Sequence, residues 1–209
     1  MKKSEHFTNE LNLISNASLK DFTKSYLDNE VPTYFFEVGA SASGKYHPKF
    51  SQGKGGLVRH TKAVVKVCAE MLKLSLYAYM PEVYKDYAIM ACILHDTAKY
   101  GIEDEENPKA YADHANNARF MVNEYWNGYF EEACPEYLLS AIGTHMGQWG
   151  ADKPFTRIDN LVHMADYMAS RSFIDIPEIV EEWNAVEEEK NEAEATAIEE
   201  NEYNAVPEM

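Results

Sequence analysis

Apolar residues recur every three or four positions along most of the chain, the spacing of helices that each bury one face. Ser18 opens a first pattern, with Leu19, Phe22, Tyr26 and Leu27 on its apolar side up to Asp28-Asn29. Pro32 then opens an aromatic run, Tyr34-Phe35-Phe36, that predicts one helical turn. A loop of glycine, serine and lysine covers residues 39–56, after which Leu57, Val64, Val67, Met71 and Leu74 share a stripe with His60. Pro81 starts the next helix, whose buried line is Val83, Tyr87, Ala91, Leu94 and Ala98 and whose stop is Gly101 with the acidic turn EDEEN.

Three more helices are predicted. One covers about 111–125 with His114, Ala118 and Met121 in line, and one runs from Pro135 through Leu138, Ile142 and His145 to Gly147. The last covers 158–171 with Val162, Ala165, Asp166 and Ala169 on one side. No stretch alternates like a strand and no repeat is visible, so the expected fold class is all-α, a helical bundle. The 209 residues suit one core with appendages: an N-terminal helix and basic loop (1–54), the helical core (55–176) and an acidic helix with tail (177–209).

Charge changes this picture in two places. The chain carries 35 acidic and 19 basic side chains, a net charge of -16, which speaks against long nucleic acid or anionic lipid as a partner. Most of the excess sits beyond residue 177, where Ile179, Trp183 and Val186 can dock a short helix before a solubilising tail. Residues 38–69 show the opposite bias: Lys45, Lys49, Lys54, Arg59, Lys62 and Lys66 with no Asp or Glu, a candidate anion-facing surface. Cys68, Cys92 and Cys134 lie apart in apolar patterns and read as buried free thiols of a reducing compartment. With no signal-peptide core behind Met1 and no apolar run near ~20 residues, a cytoplasmic location and no membrane contact are expected.

The candidate chemistry lies in polar residues on apolar helical lines: His60, His95, Asp96, His114, His145 and Asp166. Any one alone reads as a hydrogen-bonded core residue, but the whole set is costly to bury unless a cation satisfies it. His95-Asp96, in ACILHDTAK, places an imidazole and a carboxylate about 100° apart on one helix. Nitrogen and oxygen ligands of this kind suit Mn, Fe, Co, Ni or Zn, and the lack of nearby cysteine argues against a Cys-type structural zinc site. His6, in a terminus expected to fray, and His163 are left out of the set. Trp126 and Tyr125 read as core or rim aromatics, and Trp149, after the His145 turn, as packing or as the wall of a base pocket.

Taken in order, GGLVRH ending at His60, LHDTAK at His95 and Asp96, DHANNA at His114, GTHMGQ at His145 and HMADYMASR at Asp166 resemble the HD-domain metal-dependent phosphohydrolases, over residues 55–172. The resemblance implies a helical bundle in which His60, His95, Asp96 and Asp166 bind one divalent ion. His114 and His145 would take a second, with Asp96 bridging, the ions being Mn, Fe, Co or Ni. ADYMASR is similar to the HD-type diadenosine-tetraphosphate hydrolases, and YHPKFSQGKGGLVRH to HD proteins related to bacterial 3′–5′ exoribonucleases. The OB-like segment that grips RNA in those exonucleases has no counterpart here.

The function implied is hydrolysis of a nucleotide phosphoester or phosphoanhydride by metal-activated water. Its rivals are a 3′–5′ exonuclease on short single strands and a metal-stabilised protein that binds a nucleotide without turnover. Asp96 would bridge the ions or orient the water. Lys99, completing HDxxK, is the candidate cation on a phosphate oxygen, unless it is a surface lysine at a helix end. Lys45 and Arg59 are expected phosphate contacts, and Tyr46 or His47 an expected contact to the base. Arg171 belongs to the substrate rim or to a salt bridge with Asp175 or Glu178. Oligomeric state is left open.

Overall fold

The apolar spacing is met by helices. The computed structural model describes residues 2–41, 47–104 and 108–204. Its α-helices are α1 (Thr8–Leu11), α2 (Ala17–Asn29), α3 (Gly56–Leu72), α4 (Glu82–Leu94), α5 (His114–Tyr129), α6 (Glu136–Thr144), α7 (Arg157–Ala169) and α8 (Pro177–Asn204). Short 3-10 turns join them, including Thr33–Phe36 in the aromatic run, and no strand occurs among the described residues. No helix of the described residues is long and apolar enough to cross a membrane.

Helix α2 begins one residue before Ser18 because Asn16, not Ser18, is the cap: its side chain accepts the Leu19 N–H. The buried Asp86 of α4 fixes that start from across the core, accepting from the Ser15 amide and hydroxyl and the Asn16 amide at 2.8–3.0 Å. In the centre, α3 packs on α4 and α7, α4 and α7 both meet α6, and α5 closes over α6 and α2. Phe22 of α2 docks among Tyr125, Trp126, Tyr129 and Phe130, its ring 4.8 Å from that of Trp126. Leu57, Val64, Cys92, Leu94, Leu138, Ile142, Val162 and Ala165 are fully enclosed, and Cys68, Cys92 and Cys134 are buried free thiols.

Two expected core positions lie outside the core. Leu74 is beyond the last residue of α3, so helical spacing no longer aims it inward, and Val83 sits exposed in the first turn of α4. Helix α4 also stops at Leu94 rather than near Gly101, and His95–Tyr100 continues as tight turns that remain buried. The chemistry-bearing dipeptide therefore stands at a helix end, not within a helix.

The acidic C-terminus and the basic window meet each other. Ile176, Ile179 and Trp183 are buried, and α8 runs antiparallel to α3 with Lys54–Glu187 at 3.0 Å, Lys62–Glu182 at 2.9 Å and Lys66–Glu178 at 2.6 Å. Lys62 and Lys66 are one turn apart on α3, as Glu178 and Glu182 are on α8, so the two charge patterns fall into register. Lys62, enclosed, also binds Glu10 at 2.9 Å and the His6 carbonyl at 3.0 Å. Three of the six cations in the window expected to face anions, Lys54, Lys62 and Lys66, are thus matched by the helix expected to dock. The exposed Lys66–Glu178 pair adds little stability, and the apolar contact of Trp183 supplies more.

His6 is not frayed: it is buried, stacked 5.2 Å from Trp183 and 5.1 Å from Phe36. Burial pushes its pKa down from 6.5 to about 4. The neutral form is the folded form, so its contribution is complete above pH 6.5 and is lost as pH falls toward 4. Between pH 7 and pH 5 the protein should lose about 2 kcal/mol through this group, measured by urea unfolding, and His6→Phe, which keeps the ring, should remove that increment. Gly55, at φ 66°, starts α3 under the Trp183 ring, where an added Cβ would lie 2.0 Å from a ring carbon. Gly55→Ala should cost about 1–3 kcal/mol in the same assay.

Candidate metal centre

The six candidate ligands are delivered by five helices or helix ends, His95 and Asp96 sharing the end of α4. His60 lies in α3 and Asp166 in α7, His114 is the first residue of α5, and His95 and His145 cap the C-terminal ends of α4 and α6. The last turns of a helix leave carbonyls without partners. His95 and His145 fill one each: their Nδ1–H groups donate to the Cys92 carbonyl at 2.8 Å and the Ile142 carbonyl at 2.7 Å. His114 repeats the device, donating to the Tyr111 carbonyl at 2.6 Å. Because a carbonyl can only accept, each Nδ1 carries a proton, and Nε2 is the lone-pair atom whenever the ring is neutral; the Nε2 atoms of His114 and His145 lie 3.1 Å apart.

Those Nε2 atoms converge on Asp96, and its two oxygens divide them. Oδ2 faces His95 at 3.4 Å and His60 at 3.8 Å, whereas Oδ1 faces His114 at 3.3 Å and His145 at 3.6 Å. Asp166 Oδ1 lies 3.0 Å from His60 Nε2 and 3.9 Å from His95 Nε2. Among the described residues, three overlapping sets are close enough to hold an ion: His60, His95 and Asp96; Asp96, His114 and His145; and His95, His145 and Asp166. The Asp96 Oδ1 and His95 Nε2 atoms are buried without a hydrogen-bond partner, which is costly unless a cation takes their lone pairs. An all-nitrogen and oxygen donor set fits a divalent transition metal.

The electrostatics favour the ligand-ready forms of Asp96, Asp166, His60 and His145. Burial alone would push Asp96 up, but the Lys99 ammonium against its Oδ2, with His95 beside it, holds it well below the usual carboxylate range. Asp166 is depressed likewise: burial opposes its charge, and His60 and His95 outweigh it. Burial pushes His60 and His145 down, toward neutral imidazole. For His95, burial is outweighed by the Asp96 carboxylate and the pKa rises; for Lys99, Asp96 overcomes burial in the same way.

A cavity of about 370 Å³ opens onto this cluster. Asp96, Lys99 and Asp166 line its buried end, and His47, Tyr111, Met146, Trp149, His163, Tyr167, Ser170 and Arg171 line the remainder. His47, Lys99 and Arg171, three of the residues singled out from the sequence, therefore line this cavity. Burial, with His60 and Lys99 nearby, brings the pKa of His47 down to about 4. Arg171 makes neither expected salt bridge: its guanidinium lies over the Tyr167 ring at 4.4 Å and bonds the Ser170 hydroxyl at 2.9 Å. Arg59 does not line the cavity. Its guanidinium is taken up by the Phe50 and Gln52 carbonyls and the face of Trp183, bracing the loop before α3. Lys45 and Tyr46 lie outside the described residues.

A family model for the HD domain matches residues 57–171. The chain belongs to the HD-domain phosphohydrolase superfamily. It is also similar to a dihydroneopterin 2′,3′-cyclic phosphate phosphodiesterase of Methanocaldococcus jannaschii, 29% identical over 136 residues, 63% of this chain and 52% of that protein. This HD chain thus spans about half the length of that relative, and no solved structure matches it.

Several cavity residues of the HD domain were not singled out from sequence. His163 and Ser170 stand one turn either side of Asp166 on or just past α7, and Tyr167 follows it directly, so the face bearing that ligand was the available signal. His163 donates from Nδ1 to the His145 carbonyl at 2.7 Å and packs on Gly147, whose φ of 55° and missing Cβ admit the ring. If these residues hold metal, adding Mn or Co to chelator-treated protein should raise Tm by about 5–10 °C at saturating ion, from ligand linkage. Asp96→Asn should abolish most of that rise, as read by differential scanning fluorimetry.

Proposed function

We propose that this HD domain is a two-metal phosphohydrolase acting on a small nucleotide-like substrate, a phosphoester or phosphoanhydride attached to a flat heterocycle. The observation that carries the reading is the division of the Asp96 carboxylate, one oxygen toward His60 and His95 and the other toward His114 and His145. On this reading His60, His95, Asp96 and Asp166 hold one ion, and Asp96, His114 and His145 the other. Divalent ions in such a site supply water acidified toward a pKa of ~7 and take up charge on the phosphate.

The chain's own groups account for the remaining needs of hydrolysis. Asp96 and Asp166, kept ionised by the cations around them, remain available as ligands at neutral pH. Lys99 lines the cavity beside Asp96 and offers a compact positive charge to a phosphate oxygen as P–O cleavage builds charge there. Arg171 extends the positive charge to the rim. His47, held neutral by burial, is suited to hydrogen-bond a sugar or base without adding charge.

The cavity volume of about 370 Å³ lies at the small end of ligand pockets, which favours a single nucleotide-sized molecule over a threaded strand. The archaeal relative is named for a cyclic phosphodiester on a pterin, which is likewise a phosphate on a fused heterocycle. A panel of mononucleotides, 2′,3′-cyclic nucleotides, dinucleoside polyphosphates and short oligonucleotides, assayed with Mn and with products identified, tests the reading. Turnover of the small substrates is expected. Preference for oligonucleotides would favour the exonuclease, and tight binding without product would favour the binding protein. Lys99→Met should lower kcat by about 100-fold while leaving metal content, measured by elemental analysis, near that of the parent.

A further inference from the structure

The wall of the metal-side cavity holds an aromatic arrangement that the ligand set does not require. Trp149 is 56% exposed, yet its ring is parallel to that of Tyr167, 8° between planes and 5.7 Å between centroids. The Arg171 guanidinium lies 4.4 Å from the centre of the same Tyr167 ring, and Trp149, Tyr167 and Arg171 all line the cavity. Phe155, Tyr79 and Phe173 are more exposed, but none of them lines this cavity.

An exposed indole ordinarily has freedom to move, and the turn beneath this one is tied down. Lys153 donates to three carbonyls of that turn, Gly147 at 3.3 Å, Gln148 at 3.1 Å and Gly150 at 2.7 Å. The Trp149 amide donates to the Met146 carbonyl at 3.2 Å, and His163 ties the same turn to the His145 carbonyl. The backbone that carries the indole is therefore fixed relative to a candidate ligand only four residues away. A rigid, solvent-facing ring in a pocket whose other end is cationic fits a ligand with a flat ring at one end and a phosphate at the other.

We propose that Trp149, backed by Tyr167 and Arg171, is the platform on which the substrate's heterocyclic ring stacks, and that it separates ring-bearing from ring-free phosphoesters. The proposal rests on the function proposed above for the same site. Lys153 is a positioning residue for the platform.

Two measurements test it separately from turnover. Trp126 and Trp183 are buried, so the fluorescence of the accessible tryptophan reports Trp149. Adenosine and guanosine, which carry no phosphate, should quench it saturably in the parent but not in Trp149→Phe, whose signal comes from the two buried indoles alone. Absence of quenching at millimolar nucleoside would overturn the platform whether or not the protein hydrolyses anything. In steady-state assays, Trp149→Ala should raise KM for 2′,3′-cyclic AMP roughly 10- to 100-fold and leave that for glycerol 1,2-cyclic phosphate within about twofold, Trp149→Phe falling between. An equal change for both esters would overturn the platform and leave the hydrolase reading intact. If neither ester nor any nucleotide of the wider panel is cleaved, the hydrolase reading fails and the quenching result stands alone.

Discussion

The burial of Asp96 governs the structure. A carboxylate enclosed among four helix systems is tolerable only if charge or hydrogen bonds reach it, and here an ammonium and four imidazoles do. His95 and Lys99 flank Asp96 on the same turn, whereas His60, His114 and His145 come from α3, α5 and the end of α6, so the packing of α3 on α4, and of α6 on α4 and α5, is also what assembles the site. Fold and chemistry are in this sense one constraint: a helix displaced by a turn would strand a buried charge as well as open a cavity.

The helix ends matter as much as the helices. His95 and His145 stand where backbone carbonyls run out of partners, and they supply the missing donors with one ring nitrogen while presenting the other to Asp96. The same residue thus closes a helix and serves the site. Termination of α4 at Leu94, earlier than its apolar pattern suggests, has this local cause: the tight turns from His95 to Tyr100 bring Asp96 and Lys99 inward together.

Most of the bundle was legible because apolar spacing is a local property. The cluster of candidate ligands was legible because six polar residues on apolar lines break that pattern in a consistent way, and their order matched a known family. What sequence could not show was pairing at long range. The lysines of residues 54–66 looked like an unoccupied basic surface, because nothing local says that glutamates more than a hundred positions later lie in antiparallel register with them. Arg59 was read toward substrate for the same reason, whereas its neighbours in space are loop carbonyls and Trp183. His6 looked like a terminal residue until the aromatic contacts of Phe36 and Trp183 gave it a burial site. His163 was within reach, since it shares the Asp166 face of α7, but a histidine without a place in the motif carried no weight by itself.

Three of the four clustered histidines have Nδ1 bound to a carbonyl three residues back; His60 alone has Nδ1 buried without a partner. A half-turn of any of the first three rings would point a C–H at that carbonyl, so their aim is set before any cation arrives. The His60 imidazole carries no such latch. Its aim rests instead on close packing and on the Asp166 carboxylate 3.0 Å from Nε2, and the ring stands on the helix against which the acidic C-terminus is laid.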